Sequence, residues 1–213
     1  MPSDTPGLRE RKKAKTRLAI SQVATKMFIK HGFDAVTVAE VAAAADVSVA
    51  TIFNYFETKE DLFFDLEGEV IAAHSRSVRE RLPGESIPEA LRRAFHTAID
   101  ASLPRLIASG GRFVRTIEAS PALRARARFA LEKIEAAITE AITEDLRAKK
   151  SDPTPRAVAA MVVAIERLLL EDASAAVLRG DPVATVKRKL HGTCDGSFAL
   201  LEQGARGYGR RRK

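Results

Sequence analysis

The sequence has no tryptophan, one cysteine among its 213 residues, and aromatic side chains at only 6% of its positions. The lone Cys194 excludes an intramolecular disulfide and provides no cluster of metal ligands, which suits a reducing compartment. No apolar run approaches the roughly 18 residues of a membrane span, and the N-terminal stretch MPSDTPGLRERKKAK lacks the apolar segment of a signal peptide. We therefore expect a cytoplasmic protein with no membrane partner, no metal and no cofactor.

Alternating β-branched and polar residues, which strands require, are also scarce. Hydrophobic residues make up 46% of the chain and charged residues 30%, so the chain can fold around a core. Its apolar residues are mainly Ala and Leu at helical spacing, which predicts an all-α protein. The formal net charge of +7 favours a polyanionic partner, although a mildly basic surface also promotes solubility.

Three helix starts follow one another closely near the N-terminus. Thr37 and Glu40 have the spacing of a capping box, Ser48 suits a second N-cap, and Thr58 begins a third helix predicted to continue to about Ile71. The first two helices are short and separated by a three-residue turn. This arrangement predicts a helix-turn-helix, in which the second helix enters the major groove of DNA.

The helix that follows Ser48 combines a bulky inner face with a small outer face. Ile52 and Phe56 lie four residues apart and are expected to face the core. Hydroxyl and ammonium groups suit phosphate oxygens, small apolar side chains suit thymine methyl groups, and asparagine can pair with an adenine edge. The predicted DNA-binding residues are Thr37, Ser48, Val49, Ala50, Thr51, Phe53, Asn54, Tyr55 and Lys59. The basic cluster from Arg9 to Arg17 can follow the DNA backbone, enter a minor groove, or form a solvated face.

The stretch VTVAEVAAAADVSVATIFNYFETKEDLF resembles the signature of the TetR family of bacterial transcriptional regulators. It shares that family's capped second helix, V-S-x-x-T entry to the recognition helix, aromatic pair and T-K-E at the start of the fourth helix. The resemblance covers residues 10–66 and implies a homodimer with a variable C-terminal ligand domain and repression relieved by a small molecule. Phe53 stands where the family often has tyrosine, so the hydroxyl contact with DNA expected there is absent.

Beyond Pro83 the pattern changes to longer amphipathic helices. We predict a helix-turn-helix DNA-binding domain over residues 1–56, a helical ligand-binding and dimerisation domain over 57–205, and a basic tail over 206–213. Breaks at Pro104 and Gly110 indicate the least closely packed part of the second domain. The residues predicted to line an apolar effector pocket there are Phe95, Ile99, Leu103, Phe113, Ile117 and Phe129, which could equally be plain core.

The last two predicted helices have long apolar stripes that exceed what a single chain would bury. Paired with the same helices of a second copy, these stripes predict a four-helix dimer interface, with a monomeric bundle as the alternative. The predicted interface residues are Ile165, Leu169, Val186, Leu190, Cys194, Phe198 and Leu201.

No constellation of residues predicts an enzyme. Glu166 and Glu171 lie on one helix, but no Glu-x-x-His motif accompanies them, and His74, His96 and His191 are interpreted as isolated surface or satisfied histidines. We predict a ligand-responsive transcriptional regulator, released as a repressor from a palindromic DNA operator by a small-molecule effector. The alternative is a helical ligand-carrier or interaction protein that retains the helix-turn-helix as a scaffold.

Overall fold

The computed structural model describes residues 7–204, and over that range the chain is helical without strands. The all-α prediction is confirmed. In chain order the helices are α1 Leu8–His31, α2 Val38–Ala44, α3 Val49–Phe53, a 3-10 helix Glu60–Leu62, α4 Glu67–Arg79, α5 Ile87–Ala108, α6 Arg112–Ala119, α7 Pro121–Leu146, α8 Thr154–Arg179 and α9 Val183–Gly204. The predicted basic tail at 206–213 lies outside the described residues. No helix in the described range is long and apolar enough to cross a membrane.

The first of two compact units comprises the described residues up to Leu66 together with Thr116–Arg124. Its core forms around Phe28 of α1, whose ring centroid lies 4.9 Å from that of Phe33 and 6.2 Å from that of Phe63. The other large apolar side chains buried in this unit are Ile20, Val36, Val41, Ile52, Phe56, Leu62 and Leu123. Fully burying a side chain of this size contributes about 1.5 to 3 kcal/mol, so these residues hold the short helices in place.

The first unit extends farther along the chain than the boundary that the sequence predicts at residue 56. Leu62 and Phe63 are buried in it, and the Ser21 hydroxyl of α1 donates a hydrogen bond to the Asp65 carboxylate. The segment from Thr116 joins the same unit, where the Ser120 hydroxyl donates to Asp34 over 2.9 Å. Both additions depend on contacts between residues far apart in sequence.

Two helix predictions are wrong in detail. The helix predicted to run from Thr58 to Ile71 is divided into the 3-10 helix and α4, because the chain turns after burying Leu62 and Phe63. The break predicted at Pro104 is absent, since α5 continues through Pro104 to Ala108. A proline removes one backbone donor, and the buried side chains of α5 keep the rest of that helix packed.

The second unit comprises Glu67–Arg115 and the described residues from Ala125 onward. Its core is a continuous cluster formed mainly by α5, α7, α8 and α9, in which the rings of Phe95 and Phe198 meet edge to face at 5.3 Å. Arg81, with a side chain 1% exposed, lies in an ion pair with Asp145 of α7 at 2.6 Å. The second unit therefore has a continuous apolar core, and the buried charge of Arg81 is paired with a carboxylate.

A second ion pair joins α4 to α8, where Nε2 of His74 lies 3.3 Å from Oε2 of Glu166 and both side chains are largely buried. Burial by itself lowers the pKa of His74, but the interactions with the Glu166 carboxylate and with the Val70 carbonyl raise it above the ordinary value of 6.5. The protonated form of His74 is therefore the one that the folded unit favours.

The raised pKa of His74 predicts a pH-dependent stability. The contribution of the protonated histidine is fully present below 6.5, its ordinary pKa, and is lost as the pH rises through the higher pKa of the folded state. We expect the free energy of unfolding, measured by urea denaturation, to fall as the pH rises through that interval. The double variant His74→Gln/Glu166→Gln should lack this decline, and an equal decline in that variant would contradict the assignment.

Candidate DNA interface

The turn between α2 and α3 is fixed by backbone geometry. Asp46 adopts φ 54°, a left-handed conformation that short polar residues tolerate better than most, and the Val47 amide donates to the Ala42 carbonyl over 3.0 Å. The chain therefore leaves α2 and enters α3 within four residues. The predicted helix-turn-helix geometry is present in the first unit.

Side-chain caps hold the starts of both helices. The Glu40 amide donates to Thr37 Oγ1 over 3.2 Å, and the Glu40 carboxylate accepts from the Thr37 amide over 2.7 Å, completing the predicted capping box. The hydrogen bonds from the Thr37 amide and hydroxyl hold the pKa of Glu40 below its ordinary value. On α3, the Thr51 amide donates to Ser48 Oγ over 3.0 Å. Such caps contribute about 1 kcal/mol each, which matters for helices this short.

The inward face predicted for α3, formed by Ile52 and Phe56, is confirmed by burial, whereas Thr51 and Tyr55 are less exposed and Phe53 more exposed than predicted. Ile52 and Phe56 are 1% and 2% exposed, whereas Val49 is 39% and Phe53 53% exposed. Ser48, Ala50 and Asn54 are also exposed, while Thr51, Tyr55 and Lys59 are half-buried. The outer face of α3 thus combines small side chains with the exposed Phe53 ring, is uncharged, and is rimmed by polar groups.

Two cations of the predicted DNA-binding region pack on aromatic rings. The ammonium of Lys59 lies 4.3 Å from the centroid of the Phe33 ring. The guanidinium of Arg17 lies 4.3 Å from the centroid of the Phe56 ring and donates to the Tyr55 carbonyl. Arg17 therefore anchors the chain just after α3, a role that its place in a basic cluster did not reveal. The exposed cations of the cluster precede it on α1.

The side chains predicted to line an effector pocket differ in their surroundings, and the pocket stays a prediction. Phe95 and Leu103 are buried in the closed core of the second unit, whereas Phe129 is 49% exposed beneath the ammonium of Lys133. Ile99 packs against that core, Phe113 is half-buried, and Ile117 belongs to the first unit. The structure also shows an open groove of about 680 Å³ along the N-terminal part of α5, lined by polar residues and the 82–85 loop.

The structure buries the predicted dimer-interface residues inside one chain, so their contact with a second copy stays a prediction. Ile165, Leu169, Val186, Leu190, Cys194, Phe198 and Leu201 all belong to the core cluster of the second unit and are at most 8% exposed. Burial raises the pKa of the Cys194 thiol to about 11, so it stays protonated as a small apolar group. The apolar stripes of α8 and α9 look the same in the sequence whether they pack against their own chain or against a second copy.

Two histidines interpreted as isolated contact each other. His96 of α5 and His191 of α9 lie 95 positions apart in sequence, yet their Nδ1 atoms are 2.5 Å apart. No local spacing rule could have found this pair, because it depends on how α5 packs against α9.

Comparisons with known proteins agree with this geometry. The model for "Bacterial regulatory proteins, tetR family" matches residues 20–66, and the model for "MftR C-terminal domain" matches residues 85–195, just over half of the chain. The chain is 30% identical over 94 positions to the HTH-type transcriptional regulator TcmR of Streptomyces glaucescens. This match covers 44% of this chain and 42% of TcmR. The chain is also 32% identical over 78 positions to the HTH-type transcriptional regulator LuxR of Vibrio harveyi. This match covers 33% of this chain and 38% of LuxR. The chain thus matches about two fifths of the length of these curated relatives.

Solved structures share the fold. A regulator from Pseudomonas aeruginosa described as a putative transcriptional regulator superposes with a TM-score of 0.55 at 19% identity, covering 95% of each chain. Thermus thermophilus FadR, a TetR-family repressor solved in complex with lauroyl-CoA, has a TM-score of 0.51 at 24% identity, with 88% of this chain and 94% of FadR covered. At these identities the likeness concerns the fold alone. Because the family models match both the helix-turn-helix and more than half of the chain, the protein belongs to the TetR family of bacterial regulatory proteins.

Proposed function

We propose that the chain is a ligand-responsive transcriptional regulator that binds a palindromic operator as a homodimer and is released from it by a small-molecule effector. The outer face of α3 carries this proposal. Ala50 and Val49 are small and exposed, and Ile52 and Phe56 hold the helix from behind. An α-helix with such a face can lie deep in the major groove, which is about 12 Å wide.

The residues around α3 divide by chemistry into two groups. Tyr55 and Lys59 offer a hydroxyl and an ammonium for phosphate oxygens, which would position the helix. Val49, Ala50 and Phe53 suit thymine methyl groups, and Asn54 suits an adenine edge, which would read sequence. The exposed cations on the first turns of α1 would add affinity that depends on salt. Thr37 acts first as a cap, since its hydroxyl oxygen accepts from the Glu40 amide over 3.2 Å and its hydroxyl donates to the Glu40 carboxylate over 2.8 Å.

A homodimer is supported by the apolar surface that α8 and α9 leave exposed. On α8, Met161 is 45%, Leu168 43% and Leu178 43% exposed, and on α9 Leu200 is 72% exposed. Gly192 and Gly196 precede Leu200 at four-residue spacing, and a Cβ at either glycine would meet no atom within 4 Å. Glycine within a helix costs about 0.5 to 1 kcal/mol, and these two would let a helix of a second copy approach closely.

The effector is proposed to be a small apolar or amphipathic molecule bound by the second unit. Support comes from FadR, a protein of the same fold that was solved with lauroyl-CoA. A ligand that binds one arrangement of the chain more tightly shifts the population toward that arrangement. If the distance between the α3 helices of the two copies does not match the operator half-sites in that arrangement, the ligand lowers the affinity for DNA.

The proposal is tested with duplex DNA from the region upstream of the protein's own gene. We expect specific binding to a palindromic segment, with an affinity that falls linearly on a logarithmic salt scale by about 0.9 per phosphate contact. A duplex with the same composition and a scrambled palindrome is the control. Equal binding to both duplexes, or binding that ignores salt, would favour the carrier or interaction protein.

Release by an effector is tested by measuring how ligand binding and operator binding affect each other. A ligand found by thermal-shift screening should weaken operator binding, and operator should weaken binding of that ligand by the same factor, typically through about 1 to 3 kcal/mol of coupling. Calorimetry of the ligand with and without operator measures that factor. Equal ligand affinity in the two states would exclude release by this route.

A further inference from the structure

The contact between His96 and His191 is part of a chain of four side chains across α5 and α9. Nε2 of His96 lies 2.8 Å from Oδ1 of Asp195, and Nε2 of His191 lies 2.8 Å from Oδ1 of Asp100. Each helix contributes one histidine and, four residues later, one aspartate, so both pairs share a helix face. Each histidine therefore has one nitrogen on a carboxylate of the opposite helix and the other nitrogen on the partner imidazole.

The carboxylates decide which nitrogen of each ring carries the proton. An ionised carboxylate only accepts hydrogen bonds, so each Nε2 must donate. In a neutral imidazole the remaining nitrogen, Nδ1, then has a lone pair and no proton. The Nδ1 atoms of His96 and His191 lie 2.5 Å apart, so their lone pairs point at a shared position. Two lone pairs at this distance repel unless a positively charged species lies between them.

The surroundings favour positive charge and allow access from solvent. Lys187 Nζ lies 2.9 Å from Oδ1 of Asp100, and the interactions with Lys187 and His191 hold the pKa of Asp100 below its ordinary value. The Asp195 carboxylate lies against Nε2 of His96, and the Asp100 carboxylate is shared between Nε2 of His191 and the Lys187 ammonium. Both histidine side chains are 26% exposed, so solvent reaches the rings.

We propose that His96 and His191 form a binding site for a divalent transition-metal ion such as Zn²⁺, with Nδ1 of each imidazole as ligand and Asp100 and Asp195 as the carboxylates that orient the rings. Imidazole suits Zn²⁺, Ni²⁺ and Cu²⁺, and metal-bound histidines commonly donate their other N–H to a carboxylate. Zn–N bonds are about 2.0 to 2.1 Å long and are usually arranged tetrahedrally. To bind one ion in this way, the two Nδ1 atoms would move apart by less than about 1 Å.

Water completes the coordination at this site. Among residues 7–204 no group of three or more His, Cys, Asp or Glu side chains is placed to hold a metal ion, so the protein contributes two ligands here. An ion at this position would link α5 to α9 within the second unit. None of the residues at this site is among those proposed to contact DNA. The proposed regulator would therefore bind a metal ion in addition to DNA and an effector.

The test uses the full chain without an affinity tag and Zn²⁺ alone as the probe. Isothermal titration calorimetry should show one ion per chain at a pH where histidine is generally neutral. His96→Gln and His191→Gln should each abolish this binding, and Asp195→Asn should weaken it about 10- to 100-fold by removing the carboxylate that orients His96. The matched control His31→Gln changes an exposed histidine of the first unit and should leave the affinity unchanged.

A second readout separates coordination from loss of folding. In imidazole nitrogen NMR spectra of the unchanged chain, Zn²⁺ should shift the Nδ1 resonances of His96 and His191 and leave those of His31 in place. Circular dichroism checks that each variant is folded. Zn²⁺ binding that survives in a folded His96→Gln/His191→Gln variant, or the absence of binding to the unchanged chain, would overturn the metal site and leave a proton shared between the two rings.

Discussion

Replacing Leu169 with glutamate is expected to unfold the second unit, whereas the same change at the neighbouring Leu168 should leave it folded. Leu169 is 6% exposed in the core cluster, and Leu168 is 43% exposed on the outer face of α8. A charge buried without a partner is among the few changes that cost about 4 kcal/mol or more. Because a domain is stable by only about 5 to 15 kcal/mol, that loss is a large fraction of the total.

The two leucine variants also test the proposed dimer. Sedimentation should show that Leu168→Glu is a folded monomer at concentrations where the unchanged chain is a dimer, since the new charge lies on the proposed interface. Circular dichroism and urea denaturation give the fold and the free energy of unfolding for both variants. A folded, monomeric Leu169→Glu chain would restore the interface predicted from sequence, and a dimeric Leu168→Glu chain would exclude the α8 face proposed here.

The substitution Ala50→Glu is expected to weaken operator binding by about 100-fold or more. Ala50 is exposed on α3, so the fold should tolerate the longer side chain. A carboxylate there would hold α3 away from the base edges, where each good contact provides about 1 to 3 kcal/mol, and would be repelled by the phosphates. Fluorescence anisotropy with the mapped operator measures the loss.

Ala101→Glu is the matched control for the change on α3. It adds the same charge at an exposed position of α5 in the second unit, four residues before Arg105, which suits an added carboxylate. We expect its operator affinity to equal that of the unchanged chain. If both variants lose affinity equally, net charge rather than α3 explains the effect, and if neither does, α3 does not enter the groove.

The helix-turn-helix could be predicted closely from sequence because its determinants are local. Thr37 and Ser48 cap helices through amides three residues away, and Ile52 and Phe56 are placed inward by one turn of helix. The position of Arg17 over the Phe56 ring could not be predicted in this way. Its cation belongs to a charged run in the sequence, and only the packing of α1 decides that this member lies against an aromatic ring.

By itself the sequence determined the helical class, the starts of α2 and α3 and the inward face of α3, since propensity, capping and periodicity act over a few residues. Only the tertiary structure decided that Leu169 and Phe198 lie in a core within one chain, and that His96 meets His191. The residues of an amphipathic stripe are the same whether it packs on its own chain or on a second copy. What distinguishes the two cases is the apolar surface that neighbouring helices supply, and those helices are brought together only by folding.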